Sequence, residues 1–265
     1  MNTVKAGEAY FIFQRLRGLL NDRKYEEVVL GDLSGESLYL YTKGFNSHKK
    51  NILITAGFHG DEPAGVWGIL HFLLNTDKAF INKINISFIP SVNPTGLKRG
   101  SRINIWNEDP NRGFCHTDSG NYETSKEGSI LINNLQYLLG LSKDGFLSLH
   151  EDTGEWRFYA YIFEALKIPL KDENNNIATL SQILYNTGLK YFPIYLDSNI
   201  IIGKVNNGMV SNACDGSFED LLFHSGIWRT VCTETPGQTD IHLRMKANSD
   251  IIKTFAKYIV DIKED

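Results

Sequence analysis

Short apolar runs alternate with longer, partly apolar segments along most of the chain. Runs that are apolar on both faces predict strands at 51–56, 84–89, 145–149 and 228–233. Apolar residues at helical spacing predict helices at 62–74, 128–141 and 240–262. Strands buried on both faces that alternate with helices indicate a largely parallel sheet covered on both sides. We therefore predict an α/β protein: one three-layer αβα domain with a mostly parallel mixed sheet.

The remaining segments fit the same single domain. Residues 1–48 predict a helix and a strand hairpin, 49–240 form the core that carries the candidate residues below, and 241–265 predict a C-terminal helix. No internal repeat or Pro/Ser-rich linker divides the chain. The polar stretch 101–124 predicts a long loop, and a long loop inside a compact domain is usually functional.

Composition narrows the classes of partner. The 265 residues include 27 Lys and Arg against 31 Asp and Glu, a formal net charge of −4, which gives no electrostatic footprint for nucleic acid or an anionic membrane. No apolar stretch approaches the roughly 20 residues of a membrane span, and the N-terminus lacks the apolar core of a signal peptide. We expect a cytoplasmic protein with neither nucleic acid nor membrane as partner, and its oligomeric state is left open.

The cysteines do not indicate a disulfide framework or a cysteine-based zinc site. Cys115, Cys214 and Cys232 are odd in number, far apart and form no CxxC pair. Any metal site would therefore have to be built from histidines and carboxylates.

Such residues directly follow the predicted strands, where ligands of open α/β sheets bind. His59 and Glu62 can present an imidazole nitrogen and a carboxylate oxygen to one ion. His150 ends a later strand and could complete a His/Glu/His set, leaving a fourth zinc position for water. Taken singly, Glu62 is equally explained as an acid at a helix N-terminus. An isolated histidine such as His150 is more often an ordinary loop histidine, and Glu151 and Asp152 beside it could orient it or simply be exposed.

Arginines on the polar loop and a late glutamate are the other candidates. Arg99, Arg102 and Arg112 carry guanidinium forks, which bind carboxylates in bidentate geometry, although most such arginines are ordinary surface residues. Glu234 ends the last strand, and a carboxylate beside a metal-activated water is a natural general base. An isolated glutamate in this place is more often a helix cap or a salt-bridge partner.

Taken together, these motifs resemble the zinc carboxypeptidases of the M14 type, in their bacterial and cytosolic branch. In chain order the motifs are His59-x-x-Glu62, Asn93-Pro-Thr-Gly96, Arg102-x-Asn104, Asp109-Pro-Asn111-Arg112, His150, Gly216-Ser-Phe-Glu-Asp220 and Glu234. The resemblance covers about residues 51–240 and implies a zinc-carboxypeptidase-like fold.

The resemblance implies a role for each matching position. His59, Glu62 and His150 would hold one Zn²⁺ ion, which would polarise the scissile carbonyl and activate water. Glu234 would act as general base, and Arg102 would stabilise the oxyanion. The implied function is that of a zinc metallocarboxypeptidase or peptide amidase that hydrolyses the C-terminal amide bond of a small peptide, with cell-wall peptides as one substrate hypothesis.

Substrate recognition in this family implies three further expectations. Asn111 and Arg112 would bind the free C-terminal carboxylate of the substrate. Phe218 corresponds to a position near the side-chain pocket, and an apolar residue there argues against a preference for C-terminal Lys or Arg. The family's loop tyrosine is missing from 205–215, so Tyr159 and Tyr161 are candidates to replace it.

Two other functions compete with this interpretation. The related succinylglutamate desuccinylase and aspartoacylase group shares HxxE, the Asn-Arg pair and the late His and Glu, and it hydrolyses small N-acyl amino acids. Its members usually append a C-terminal β domain, whereas 31 residues follow Glu234 here, which favours the peptidase. A catalytically inactive binding module would be favoured by loss of His59, Glu62, His150 or Glu234, and all four are present.

Overall fold

A computed structural model of the protein describes most of the chain. The described residues are 8–43, 46–115, 123–164, 170–171, 177–197, 199–200, 203–211 and 215–262. Both chain ends, Cys214 and part of the loop predicted at 101–124 lie outside these residues.

Helices and strands alternate through the described residues. The helices are α1 (Glu8–Asp22), α2 (Ala64–Asn75), α3 (Lys78–Ile81), α4 (Pro94–Arg99), α5 (Lys126–Asn133), α6 (Leu135–Leu141), α7 (Leu180–Leu189), α8 (Phe218–His224) and α9 (Ile241–Asp261). The strands are β1 (Glu26–Leu33), β2 (Glu36–Thr42), β3 (Asn51–Ala56), β4 (Asn85–Ile89), β5 (Gly145–Asp152), β6 (Tyr159–Glu164), β7 (Leu170–Lys171), β8 (Ile177–Ala178), β9 (Asn199–Ile200), β10 (Gly203–Asn206), β11 (Met209–Ser211) and β12 (Arg229–Pro236).

One ten-stranded mixed sheet forms the middle layer, in the order β1-β2-β4-β3-β5-β12-β6-β11-β10-β9. The central strands β4, β3, β5 and β12 are parallel neighbours, and antiparallel pairs flank them on both sides. Every residue of β3 is buried, as the two-sided apolar run predicts, because a parallel sheet is covered on both faces. The structure confirms the predicted α/β class.

Helices cover both faces of this sheet and bury the two larger of three apolar clusters in the described residues. On one face α1, α2, α7 and α9 pack against the sheet, with side chains such as Phe255 and Ile54 in the larger cluster. On the other face α5, α6 and α8 bury side chains such as Leu138 and Phe146. The three layers are therefore helix, sheet and helix, as predicted.

Some helices differ from the sequence prediction for identifiable reasons. The helix predicted at 128–141 is broken at Asn134, whose side chain donates to Leu30 O at 3.2 Å and to Ile130 O at 2.9 Å. Neither α7 nor α8 was predicted. Each begins at a polar cap: Thr179 forms a capping box at α7, and Ser217 Oγ accepts a bond from the Asp220 amide at α8.

Two sequence predictions on organisation and location stay predictions. The hairpin ends at Thr42 and α9 begins at Ile241, but these positions do not test the predicted segment boundaries. No helix in the described part of the chain combines the length and apolarity needed to cross a bilayer. The cytoplasmic location remains a prediction.

Candidate metal centre

The carboxyl ends of three central strands converge on one cavity. The turn after β3 carries His59, β5 carries His150, and β12 carries Glu234. The parallel register pairs Glu234 with His150, and because side chains alternate between the faces of a sheet, paired residues point the same way. The same face carries Asp152, Tyr159, Tyr161, Phe163 and Cys232. All of these residues line a cavity of about 410 Å³.

His59, Glu62 and His150 meet at the floor of this cavity. His59 Nδ1 lies 2.6 Å from Glu62 Oε1, and His150 Nδ1 lies 2.8 Å from Glu62 Oε2. The three residues are only 2–3% exposed, and one donor atom from each lies within 4.8 Å of the others. Burial alone would raise the pKa of Glu62, but the two imidazoles bring it well below its usual range. The donor set is the one that a divalent transition metal accepts.

The outer nitrogen of His59 faces a carboxylate. Its Nε2 lies 3.1 Å from Asp109 Oδ1, and Asp109 Oδ2 accepts a bond from Arg102 at 3.1 Å. Burial raises the pKa of Asp109, but the hydrogen bond and charge of His59 lower it overall. A proton held on Nε2 leaves the Nδ1 lone pair free for a metal.

The outer nitrogen of His150 also faces a carboxylate, that of Glu219, which sequence analysis missed. Glu219 Oε1 lies 3.5 Å from His150 Nε2, and Asn111 Nδ2 lies 3.4 Å from the same nitrogen. The Phe58 ring stacks on the imidazole at 5.6 Å between ring centroids. His150 is therefore fixed from several sides.

A buried ion pair supports the turn behind the three candidate ligands. Glu151 forms an ion pair with Arg244 of α9, and Glu151 Oε1 accepts a bond from the Ala64 amide at 2.5 Å. The Glu151 amide donates to Glu62 Oε2 at 3.2 Å. The pair thus connects α9 to the start of α2 and to Glu62, and Glu151, which the sequence left undecided, is not exposed.

The Asn-Pro-Thr-Gly motif explains how Arg102 reaches the site. Asn93 caps α4 by accepting the Gly96 amide at 2.8 Å and donates to Arg102 O at 3.2 Å. A Cβ at Gly60, in the His59 turn, would lie 2.0 Å from the Gly96 carbonyl carbon, so the two turns can cross only with glycine there. Arg102 Nη1 lies 3.2 Å from His59 Nδ1, which brings its guanidinium to the mouth of the site.

Arg112 stands on another wall of the cavity. It donates to Asn111 O at 2.7 Å and forms an ion pair with Asp215 Oδ2 at 3.3 Å. Its side chain is 22% exposed, so the guanidinium is oriented by Asp215 and still faces the cavity. This is a suitable position for a carboxylate ligand.

Glu234 lies on the same strand face as His150. Burial raises its pKa to about 8, to which Glu62 and Asp152 contribute while His150 opposes the rise. Of the two tyrosine candidates, Tyr159 donates a hydrogen bond from its hydroxyl to Asp152 Oδ2 at 2.8 Å. The Tyr161 hydroxyl makes no hydrogen bond to another of the described residues. Both line the cavity.

Phe218 is a candidate that the structure places outside the cavity. Its side chain is fully buried and packs on Phe58, Phe114 and Phe146, because it begins α8 on the side that faces the core. The expected side-chain contact with substrate is therefore wrong, and the next residue, Glu219, lines the cavity instead.

A second group of possible ligands shares one histidine with the first. His150, Glu219 and Cys232 also bring donor atoms within 4.8 Å of one another. Burial, followed by the nearby carboxylates, raises the pKa of the Cys232 thiol well above its usual range. A thiol that resists ionisation is a poor metal ligand, so the group of His59, Glu62 and His150 is the better candidate.

The fold of the chain is shared with a metallo-carboxypeptidase of known structure. The chain superposes on a metallo-carboxypeptidase from Pseudomonas aeruginosa with a TM-score of 0.69, at 16% sequence identity over 97% of this chain and 69% of that one. At this identity the match shows a shared carboxypeptidase-like fold.

Closer matches show the family. Residues 48–188 match the family model of the succinylglutamate desuccinylase/aspartoacylase catalytic domain, and the chain belongs to this family. A crystal structure from Shewanella denitrificans, called a "putative metallopeptidase", is 34% identical over 96% of this chain and 90% of its own, with a TM-score of 0.82. One from Shewanella amazonensis with the same name is 36% identical over 93% and 92%, with a TM-score of 0.84. A search of curated proteins found no match. The matches confirm the family resemblance inferred from the motifs.

Proposed function

We propose that the protein is a zinc-dependent hydrolase that cleaves the C-terminal amide bond of a small peptide, as a carboxypeptidase or peptide amidase. One observation supports this above all: His59, Glu62 and His150 converge in a single cavity that also holds Glu234 and an inward-facing arginine. Three ligands, a base and a carboxylate anchor are the parts that this reaction needs.

The metal would be held by the two Nδ1 atoms of His59 and His150 and by the Glu62 carboxylate. Their chemistry fits zinc, because a His₂Glu set with an open fourth position is typical of catalytic zinc sites. When bound, the ion supplies Lewis-acid polarisation of the scissile carbonyl and activation of a water.

Glu234 and Arg102 act on the reacting atoms. A Glu234 oxygen accepts the proton of the attacking water and returns it to the leaving nitrogen. Arg102, whose side chain is 46% exposed beside the His59 turn, stabilises the oxyanion that develops on the carbonyl oxygen.

Arg112 binds the free carboxylate of the substrate. Asp215 orients its guanidinium, so less side-chain entropy is lost when the substrate binds. Since the anchor lies in the same cavity as Glu234, cleavage is restricted to the bond next to the terminal residue.

Zinc-loaded protein tested on a substrate panel would decide the proposal. The panel holds C-terminal dipeptides, a γ-linked cell-wall tripeptide, N-acetyl-aspartate and N-succinyl-glutamate, with each peptide also supplied as its C-terminal amide. We expect hydrolysis of peptides with a free carboxylate and little of their amides. Equal cleavage of both forms, or none of any peptide, contradicts the proposal.

The same panel tests a second candidate function, hydrolysis of N-acyl amino acids. The family match over residues 48–188 favours it, and Arg112 would suit the carboxylate of these substrates equally well. Turnover of N-acetyl-aspartate or N-succinyl-glutamate with inert peptides would select this function in place of the first.

A further inference from the structure

Asn104 lies at the centre of the loop that carries both arginines of the proposed reaction. Its Oδ1 accepts hydrogen bonds from the Trp106 and Glu108 amides, each at 2.9 Å. Its Nδ2 donates to Glu108 Oε2 at 2.8 Å and to Glu127 Oε2 at 2.7 Å. The side chain is 1% exposed. An asparagine amide can accept two bonds and donate two, so Asn104 is fully engaged within the protein.

The loop depends on this amide because it has no regular structure of its own. Between α4 and α5 the described residues form neither helix nor strand, so their backbone N–H groups need partners elsewhere. The Asn104 side chain supplies one for Trp106 and one for Glu108, and the Asn104 amide itself donates to Glu108 O at 3.1 Å. One side chain therefore fixes the course of the chain from 104 to 108.

Asp109 connects this fixed segment to both arginines. It directly follows Glu108, and its Oδ2 accepts a bond from Arg102 at 3.1 Å. Its Oδ1 accepts the Asn111 amide at 3.0 Å, and Arg112 is the next residue. A displacement of Glu108 would therefore move the one carboxylate on which the placement of both guanidinium groups depends.

We propose that Asn104 is a positioning residue that sets Arg102 and Arg112 together, by holding their loop to Glu127 at the start of α5. The inference rests on the proposed function, which assigns these arginines to the oxyanion and to the substrate carboxylate. Glu127 is fully buried in the first turn of α5, so the loop is attached to a fixed element. Asn104 itself does not line the cavity and acts only through the loop.

Steady-state kinetics of zinc-saturated Asn104→Ala and Asn104→Asp, with a dipeptide of the panel as substrate, test the proposal. The aspartate keeps an acceptor for the two backbone amides but places an oxygen opposite the carboxylates of Glu108 and Glu127, so both variants lose the bridge. We expect kcat/KM to fall about 100-fold, with kcat lowered and KM raised, because both arginines are displaced. Asn51→Ala is the matched control: Asn51 is equally buried, at the end of β3 away from the cavity, and donates to Gly140 O at 3.1 Å. It should lose stability and keep both constants.

A double variant separates positioning from a merely structural role. If Asn104 acts through Arg102, then adding Asn104→Ala to Arg102→Ala should lower kcat little further, whereas independent effects would multiply. The same factor in both backgrounds, or an effect of Asn104→Ala on kcat/KM no larger than that of Asn51→Ala, overturns the inference.

Backbone hydrogen exchange gives a readout that needs no turnover. The Trp106 and Glu108 amides should be protected in the wild type and lose that protection in Asn104→Ala, while the Leu53 amide of β3 keeps its own. If Asn104→Ala fails to fold, Glu127→Leu and Glu127→Gln decide: the leucine removes an acceptor and should lower kcat/KM, and the glutamine keeps one and should recover most of it. Protection that persists in Asn104→Ala, or equal kcat/KM in the two Glu127 variants, contradicts the inference. A wild type inactive on every substrate of the panel would instead refute the proposed function.

Discussion

Removing Arg244 should destabilise the protein through a charge left unpaired behind the metal centre. Arg244 forms an ion pair with Glu151, and the side chains are 8% and 0% exposed. In Arg244→Met the Glu151 carboxylate keeps its bond from the Ala64 amide but loses the buried cation. Breaking a buried pair on one side costs about 3–5 kcal/mol, because the remaining charge is uncompensated.

This magnitude translates into a large shift of the thermal midpoint. The entropy of unfolding is about 2.1 cal/mol/K per residue. For a chain of this length, each kcal/mol of lost stability therefore lowers Tm by about 2 °C. Tm of Arg244→Met should fall by about 6–10 °C. The loss should be measured by chemical denaturation and calorimetry at pH 8, above the pKa of about 7 that burial gives Glu151. Lys98→Met breaks an exposed ion pair with Glu36, and as a control it should cost much less than Arg244→Met, because surface ion pairs contribute little.

A double-mutant cycle separates the unpaired charge from lost packing. Glu151→Gln keeps an acceptor for the Ala64 amide and removes the charge, so adding it to Arg244→Met should recover stability, with a coupling energy of about 2–3 kcal/mol. Additivity within about 0.5 kcal/mol, or a cost of Arg244→Met no larger than that of Lys98→Met, would refute the reasoning.

Three further perturbations test separate parts of the account. Glu234→Gln should keep zinc while turnover falls about 10²- to 10⁴-fold; near-normal turnover would remove Glu234 as the base. Gly60→Ala should destabilise by about 1–3 kcal/mol, because its Cβ would lie 2.0 Å from a backbone carbon of α4, whereas Gly140→Ala, with open space around it, should not; equal denaturation midpoints would contradict the close crossing. The partly exposed Glu27 has its pKa lowered, chiefly by a hydrogen bond from Arg17, so its stabilisation is present above the ordinary pKa of 4.5 and is lost as pH falls through the lower folded value. Glu27→Gln should therefore cost about 1 kcal/mol at pH 7 and progressively less as pH falls below 4.5, and a pH-independent cost would exclude the ionic contribution.

The strands and the candidate ligands could be predicted because each follows from a local pattern. β3 and β5 are apolar on both faces, which only a covered sheet tolerates, and parallel strands bring the residues after them to one edge. His150 and Glu234 are therefore placed by sheet register alone.

The supporting residues depend on contacts between segments distant in sequence. Glu219 reaches His150 because α8 begins with Phe218 directed into the core. Neither the Gly216–Asp220 motif nor the apolar periodicity predicts whether Phe218 or Glu219 faces the cavity. The one available signal was the acid at the second position after the Gly-Ser turn.

X-ray absorption at the zinc edge of the loaded protein tests the central claim most directly. If His59, Glu62 and His150 hold the ion, the first coordination sphere contains only nitrogen and oxygen at about 2.0–2.2 Å, with two imidazoles in the outer-shell scattering. A sulfur at about 2.3 Å would instead place the ion with Cys232 and Glu219 and contradict the account.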